Sequence, residues 1–431
     1  MQNLILFMLL SSTTVDFLAK ARLLPSLVTF IPEFIGAFTL LYVTAGSGKG
    51  LFQLVRPGYW FVLGAIALVM ACGIVINGVE AGVIFVGIRN FLRAIPLLLL
   101  PAVIAFTEPE IRKQLRLIMF ICFMQLPLTL YQKTLPNVSG DSIYGTFVIS
   151  SHLSIFLICS ACVLTGLYLR RKIGLWQYGL LLVLFLVPTT INETKGTLVL
   201  LPLGLVVAFI LGAQRGARLK NTVIVAGVLA TFGMAFAAIY DYTQKDVEYR
   251  PGIVEFFTEG TAEKYMQKDR GFTTDKKEIG RLDAVLTPLE YLKRDPITLA
   301  FGLGIGNASV SSLGIEFQGK YGDIFKPYMQ HTAARLLLEI GLFGSGLVLI
   351  LMFMLFRDAY LVSTSGGLHG AIAVGWMGVV ALLTPAMFYK DIMAAAGITF
   401  PFWYFSGLIA AHRMRLGLRL WSAPEARRVP A

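Results

Sequence analysis

Apolar blocks of roughly 16–24 residues, separated by short polar turns, run from residue 2 to residue 412 with one long interruption. Within the blocks Leu, Val, Ile and Phe follow one another without the alternation of a half-buried strand, which predicts helices that are apolar all round. A hydrocarbon core about 30 Å thick takes roughly 20 such residues per crossing, whereas a closed barrel would show short alternating strands. The blocks predict spans at 2–18, 25–45, 60–77, 83–106, 115–131, 147–169, 175–190, 196–213, 222–240, 335–356, 370–389 and 395–412. The expected fold class is all-α: a polytopic membrane protein with about twelve transmembrane helices.

The interruption, residues 241–330, mixes basic and acidic residues in similar number with Tyr and Phe, and contains helix-like stretches such as Leu282 to Lys293. It predicts a small folded helical cap. The chain then divides into an N-terminal bundle of about nine spans (1–240), the cap (241–330), three C-terminal spans (331–412) and a basic tail (413–431). The exit of the cap, Phe301-Gly-Leu-Gly-Ile-Gly-Asn307, lacks the strand–turn–helix setting of a dinucleotide site and the Lys-Ser/Thr of a P-loop. A tight turn returning the chain to the bilayer is expected there.

Composition agrees: 56% of residues are hydrophobic and 14% charged, against about a quarter charged in soluble domains. The net charge of +12 would suggest a nucleic-acid partner in a soluble protein, but here most of it is topological. With the N-terminus cytoplasmic, the even-numbered span ends collect Lys49 and Arg56; Arg112, Lys113 and Arg116; Arg170, Arg171 and Lys172; Arg215, Arg218 and Lys220; and Arg413, Arg415, Arg419, Arg427 and Arg428. This is the positive-inside pattern, which places both termini inside and the 241–330 loop outside. The first block has no basic n-region and contains Asp16, so it reads as a retained helix. Cys72, Cys122, Cys159 and Cys162 all fall in apolar blocks, which predicts buried thiols and neither disulfides nor a zinc site.

Chemistry is expected where the cap meets the bilayer. His331 ends Pro327-Tyr328-Met329-Gln330-His331, directly before an apolar run. An imidazole, with an ordinary pKa of ~6.5, suits proton abstraction from a sugar hydroxyl; the plain alternative is a helix-start residue touching headgroups. Arg281, in Gly280-Arg281-Leu282-Asp283, stands at the start of an amphipathic helix, where guanidinium and free amides can face a phosphate, although its spacing alone suits an ordinary surface arginine. Lys195, in Asn192-Glu193-Thr194-Lys195-Gly196, sits in a turn between two short spans, where an ammonium needs a partner such as Glu193 or an anion. Arg89 and Arg93, four apart, share one helix face in the outer half of the fourth span, unless residues 80–93 form an interfacial helix and the span starts near Ala94. Together the four cations suit a diphosphate. Glu339 is expected two turns below His331 as structural support, paired with Arg335 or another cation. His152, His369 and His412 are weaker candidates, and no clustered Asp pair offers a metal site.

Tyr144-Gly-Thr-Phe147, Asn192-Glu-Thr-Lys195, Arg281 ahead of Asp295-Pro296 and the glycine run, and His331 followed by Leu338-Glu-Ile-Gly-Leu-Phe-Gly344 together resemble the O-antigen polymerase and ligase superfamily. These are bacterial inner-membrane glycosyltransferases that use undecaprenyl-diphosphate-linked glycans. The resemblance covers most of the chain and implies a GT-C-like fold, a periplasmic loop, and metal-independent, inverting transfer without a cofactor. It assigns diphosphate binding to Lys195 and Arg281, and assistance of the acceptor hydroxyl to His331. Many members have arginine at the position of Lys195, and lysine keeps the charge without the bidentate geometry. The turn and the glycine run look most like members of exopolysaccharide or capsule assembly, which favours a polymerase over a ligase to lipid A core in lipopolysaccharide. The partners implied are the lipid-linked oligosaccharide, an acceptor glycan on a second repeat unit or on lipid A core, membrane lipids and a chain-length regulator. A lipid-linked oligosaccharide transporter is the alternative from another class.

Overall fold

The computed structural model describes residues 1–47, 55–136, 138, 140–212, 218–244, 255, 258, 279–311 and 314–417. Every regular element among them is helical. The helices are α1 (Gln2–Lys20), α2 (Ile31–Ser47), α3 (Pro57–Asn77), α4 (Ala81–Leu92), α5 (Pro96–Val103), α6 (Glu108–Thr134), α7 (Ser150–Leu169), α8 (Leu175–Ile191), α9 (Thr197–Gly212) and α10 (Arg218–Gln244). After residues 245–278, nearly all outside the described set, come α11 (Asp283–Leu292), α12 (Pro296–Phe301), α13 (Gly322–Phe325), α14 (Thr332–Val362), α15 (Gly367–Tyr389) and α16 (Ala396–Arg415).

Eight helices among the described residues are long and apolar enough to cross a bilayer: α1, α2 with the turn before it, α3, α6, α7, α10, α14 and α15. The chain is a multi-pass membrane protein. The span expected at 83–106 is not one straight helix, because α4 and α5 meet at 51°. Pro96, at the first turn of α5, lacks the N–H that would continue the α4 ladder and restricts the residue before it. Arg93 stands in the break. All four cysteines are free thiols, with Cys122 and Cys162 buried as expected and Cys72 and Cys159 only half-buried.

Small residues set the centre of the bundle, as is usual where helices associate in lipid without a hydrophobic drive between them. α7 and α15 are buried along most of their length. A Cβ on Gly166 would lie 2.3 Å from the Ala371 carbonyl oxygen, and one on Gly375 2.4 Å from that of Cys162. The backbones therefore meet without side chains between them.

The glycine run after α12 does more than turn the chain. Asp295 caps α12, accepting from the amides of Ile297 (3.3 Å) and Thr298 (3.0 Å), and Gly302, Gly304 and Gly306 follow at φ +77°, +92° and +80°. Residues 302–309 are all buried. They thread between helices: Gly304 lies against Gly73 of α3, Gly306 against Val83 and Gly87 of α4, and Gly302 against Glu339–Gly341 of α14. Leu303 and Ile305 alternate with the glycines and fill the core. The opposing strand of contact is α14 itself, which breaks at Gly341 (φ 64°, ψ −167°), while the Leu338 carbonyl accepts from Leu303 N at 2.6 Å.

Candidate functional site at the start of α14

His331 is the N-cap of α14, held there by the 3-10 turn Tyr328–Gln330. Its ring is buried at 2% exposure, and Arg281 Nη1 lies 3.1 Å from Nε2. A guanidinium can only donate, so Nε2 is the acceptor and the proton of the neutral imidazole is on Nδ1. Burial holds the pKa of His331 down at about 4, helped by the positive charges of Arg281 and then Lys390. The ring is therefore neutral at pH 7, with its basic lone pair on the nitrogen that Arg281 occupies.

Arg281 precedes α11 and also lies over the Tyr389 ring, 5.1 Å from its centroid. Tyr389 ends α15. A further contact of the ring ties in the turn between α8 and α9, since a Cβ on Gly196 would stand 2.7 Å from it. Glycine at 196 thus lets the Lys195 turn close onto the tyrosine that carries Arg281. Lys195 directs its ammonium over the Tyr240 ring of α10, at 5.2 Å, a favourable cation–π placement. The turn is shaped by Asn192, which donates to the Ser150 carbonyl at 3.0 Å and exchanges hydrogen bonds with Ser154. Glu193 takes a left-handed φ of 57° and lies against Gly140, which turns this carboxylate toward the loop before α7.

That loop holds the Tyr144-Gly145-Thr146 motif, and two glutamines on α6 satisfy its backbone. Gln132 accepts from the amides of Tyr144 (2.9 Å) and Gly145 (2.8 Å), and Gln125 accepts from Thr146 N at 2.9 Å. Irregular backbone at membrane depth requires such internal partners. Gly145, at φ +56°, leaves no room for a side chain, since a Cβ would meet Gln125 Oε1 at 2.2 Å.

Arg335 pairs with Asp391 (2.8 Å), in the loop between α15 and α16. Glu339, expected as a partner of Arg335 or another cation, is buried and accepts instead from the Ser309 hydroxyl at 2.5 Å. The preference has a geometric reason. Asp391 also accepts from Thr332 Oγ1 at 3.1 Å, Thr332 Oγ1 accepts from Ile392 N at 2.9 Å, and the His152 ring meets the Asp391 carbonyl at 3.0 Å. Asp391 thus clamps the first turn of α14, directly beneath His331, to the neighbouring loop. Asp391→Ala is expected to cost about 3 kcal/mol through the largely covered Arg335 left behind, and a double-mutant cycle with Arg335→Ala on melting midpoints should show strong coupling. Additive losses would mean that the pair contributes nothing of its own.

Arg89 and Arg93 belong to a different constellation. Glu33 of α2 takes Arg89 in a bidentate pair (2.6 and 2.8 Å) and Arg93 at 3.1 Å. Arg93 also donates to the carbonyls of Met393 (3.0 Å) and Ala394 (2.6 Å). The carboxylate shared by the two arginines was missed in the sequence, as Glu33 lies in another apolar block; Arg93 alone of the two braces the loop after Asp391. His369 and His412 stack on each other with ring centroids 3.9 Å apart, on helices α15 and α16, away from His331.

Comparison of the chain with family models and with curated proteins finds no match. The site therefore rests on its own geometry: an imidazole with a free-electron-pair nitrogen under a guanidinium, a tyrosine platform joining two segments that are far apart in sequence, and an ammonium on the next turn. Tyr389, Lys390 and Asp391 were not selected as candidates from the sequence. The available signal was a Tyr-Lys-Asp triplet ending an apolar block on the same expected side as His331.

Proposed function

We propose that the chain is a polysaccharide polymerase resembling the O-antigen polymerase and ligase superfamily, transferring a glycan from a polyprenyl diphosphate to the sugar terminus of another lipid-linked repeat. Twelve spans complete this reading, with the bent α4–α5 pair, the two shorter helices α8 and α9, and α16 joining the eight long helices; the α11–α13 segment then lies outside an inner membrane. The observation that carries the proposal is the 3.1 Å contact between Arg281 and His331 Nε2.

That contact supports a reaction in which one anion changes both groups. A diphosphate entering beside Arg281 offers it bidentate oxygen partners stronger than a neutral imidazole. Nε2 is then released toward the acceptor. The same negative charge offsets Arg281 and Lys390, which depress the basicity of the ring, so His331 becomes a better base with donor bound. The acceptor hydroxyl oxygen forms a bond to the anomeric carbon as the bond to the diphosphate breaks. Its proton passes to Nε2, and the diphosphate leaves with its charge held by Arg281 and Lys195.

Purified protein given a single lipid-linked repeat should make a ladder without added acceptor. Product only on addition of lipid A core would make it a ligase, and lipid translocation in sealed vesicles without elongation would make it a transporter. The electrostatic part has its own readout. Histidine-selective NMR should titrate His331 near 4, higher in Arg281→Gln, and higher again in wild type with inorganic pyrophosphate. A midpoint at the ordinary ~6.5 that neither change moves would remove this account. The sign for stability follows: between pH ~6.5 and the depressed folded value, the unfolded chain binds a proton that the folded one excludes, so stability falls as pH drops through that window.

A further inference from the structure

A second charged cluster lies at the far end of α14. Asp358 stands 17 residues past the Gly341 break, about 25 Å along the helix at 1.5 Å per residue, and it is 2% exposed. Tyr59 of α3 donates to it at 2.9 Å. Three guanidiniums surround this one carboxylate: Arg413 of α16 in direct contact, Arg56 at 3.7 Å and Arg357 at 3.8 Å.

Among the described residues, ion pairs from these three positive charges converge on one carboxylate. The excess sits among transmembrane helix ends, where unneutralised charge is costly. Arg56 Nη1 and Arg357 Nε and Nη2 are buried without a hydrogen-bond partner among the described residues, yet Arg56 and Arg357 keep 29% and 19% of their side chains accessible. Arg56 Nη1 and Arg357 Nη2 face Asp358 at ion-pair distance, and the accessible share of each side chain lies away from these buried atoms. Beside Arg56 is a narrow recess, partly open to the surface, whose other walls include Leu98, Ala102, Ala410 and Met414. Cationic forks next to an apolar recess at a helix end match a phosphodiester with an acyl glycerol attached. The proposed transfer does not use this cluster.

We infer that Arg56, Arg357 and Arg413 form a binding site for the phosphate of an anionic phospholipid, whose glycerol and first acyl carbons lie along the surface recess between α3, α5 and α16. The site is on the membrane face opposite His331.

The test is the melting midpoint of the full-length protein in a zwitterionic detergent, titrated with phosphatidylglycerol, phosphatidylcholine or inorganic phosphate. Phosphatidylglycerol is expected to raise the midpoint by on the order of 2–4 °C at saturation, and the other two to leave it within error. The Arg56→Gln/Arg357→Gln double variant should lose most of that shift, while Arg112→Gln, an exposed arginine at the start of α6, keeps it. Equal shifts with phosphatidylcholine, or an undiminished shift in the double variant, would overturn the site. A shift reproduced by inorganic phosphate, with the same arginine dependence, would overturn the lipid in favour of a soluble anion. Should the double variant fail to fold, native mass spectrometry of the wild type reads the same question: retention of phosphatidylglycerol over phosphatidylcholine from an equimolar mixture supports the site, and equal retention refutes it.

Discussion

Replacing His331 by alanine should lower the initial rate of the proposed chain elongation by about 10²- to 10⁴-fold, the usual contribution of a positioned general base. Among the described residues the imidazole is buried and is reached by a donor only through Nε2, so none of their side chains in contact with it replaces its lone pair. Arg281→Ala should also depress the rate, mainly through donor affinity. If the two groups act as one unit, the double variant should lose little more than His331→Ala alone. Initial rates on a purified lipid-linked repeat, with unchanged melting midpoints as the folding control, measure all three. Wild-type elongation by the His331→Ala protein would remove the imidazole from the chemistry.

The second large effect is structural. Gly341→Ala is expected to destabilise the protein by about 3–5 kcal/mol, combining backbone strain at a conformation only glycine adopts readily with steric overpacking. A Cβ there would lie 2.4 Å from the Ala300 carbonyl oxygen and 2.5 Å from Gly302 N, both backbone atoms that cannot rotate away. Gly346→Ala, five residues on, where an added Cβ meets nothing within 4 Å, is the matched control and should be near neutral. Denaturant midpoints in detergent compare the pair, and similar losses in both would mean that the close approach is relaxed at little cost.

Helix positions were legible because apolar blocks in a membrane chain leave few alternatives to helix. Their breaks were less so. The 83–106 block reads as one span, and only the placement of Pro96 just after Arg93 signals the bend. The glycine run was visible as a run, but its role depends on α3, α4 and α14 converging on it, which adjacency in sequence does not report. In the candidate site, His331 and Arg281 were both selected from the sequence and stand in contact. The turn that carries Lys195 is tied to the Arg281 platform through Gly196 and Tyr389, while the Lys195 ammonium itself lies over Tyr240. Glu33 and Asp391 were not selected, since a single acidic residue in or beside an apolar block reveals a partner only when the helices are assembled. Arg89 and Arg93 illustrate the point: their shared face was readable, their carboxylate was not.

The buried thread of Gly302, Gly304 and Gly306 also constrains how the molecule is made. Its walls come from residues 73–87 on one side and 338–341 on the other, so the ribosome must reach the last third of the chain before the adjoining ends of α3 and α4 acquire their packing partner. Until then those helices wait in the bilayer with an open seam, and the first half of the protein, expressed alone, should be a substrate for membrane quality-control proteases.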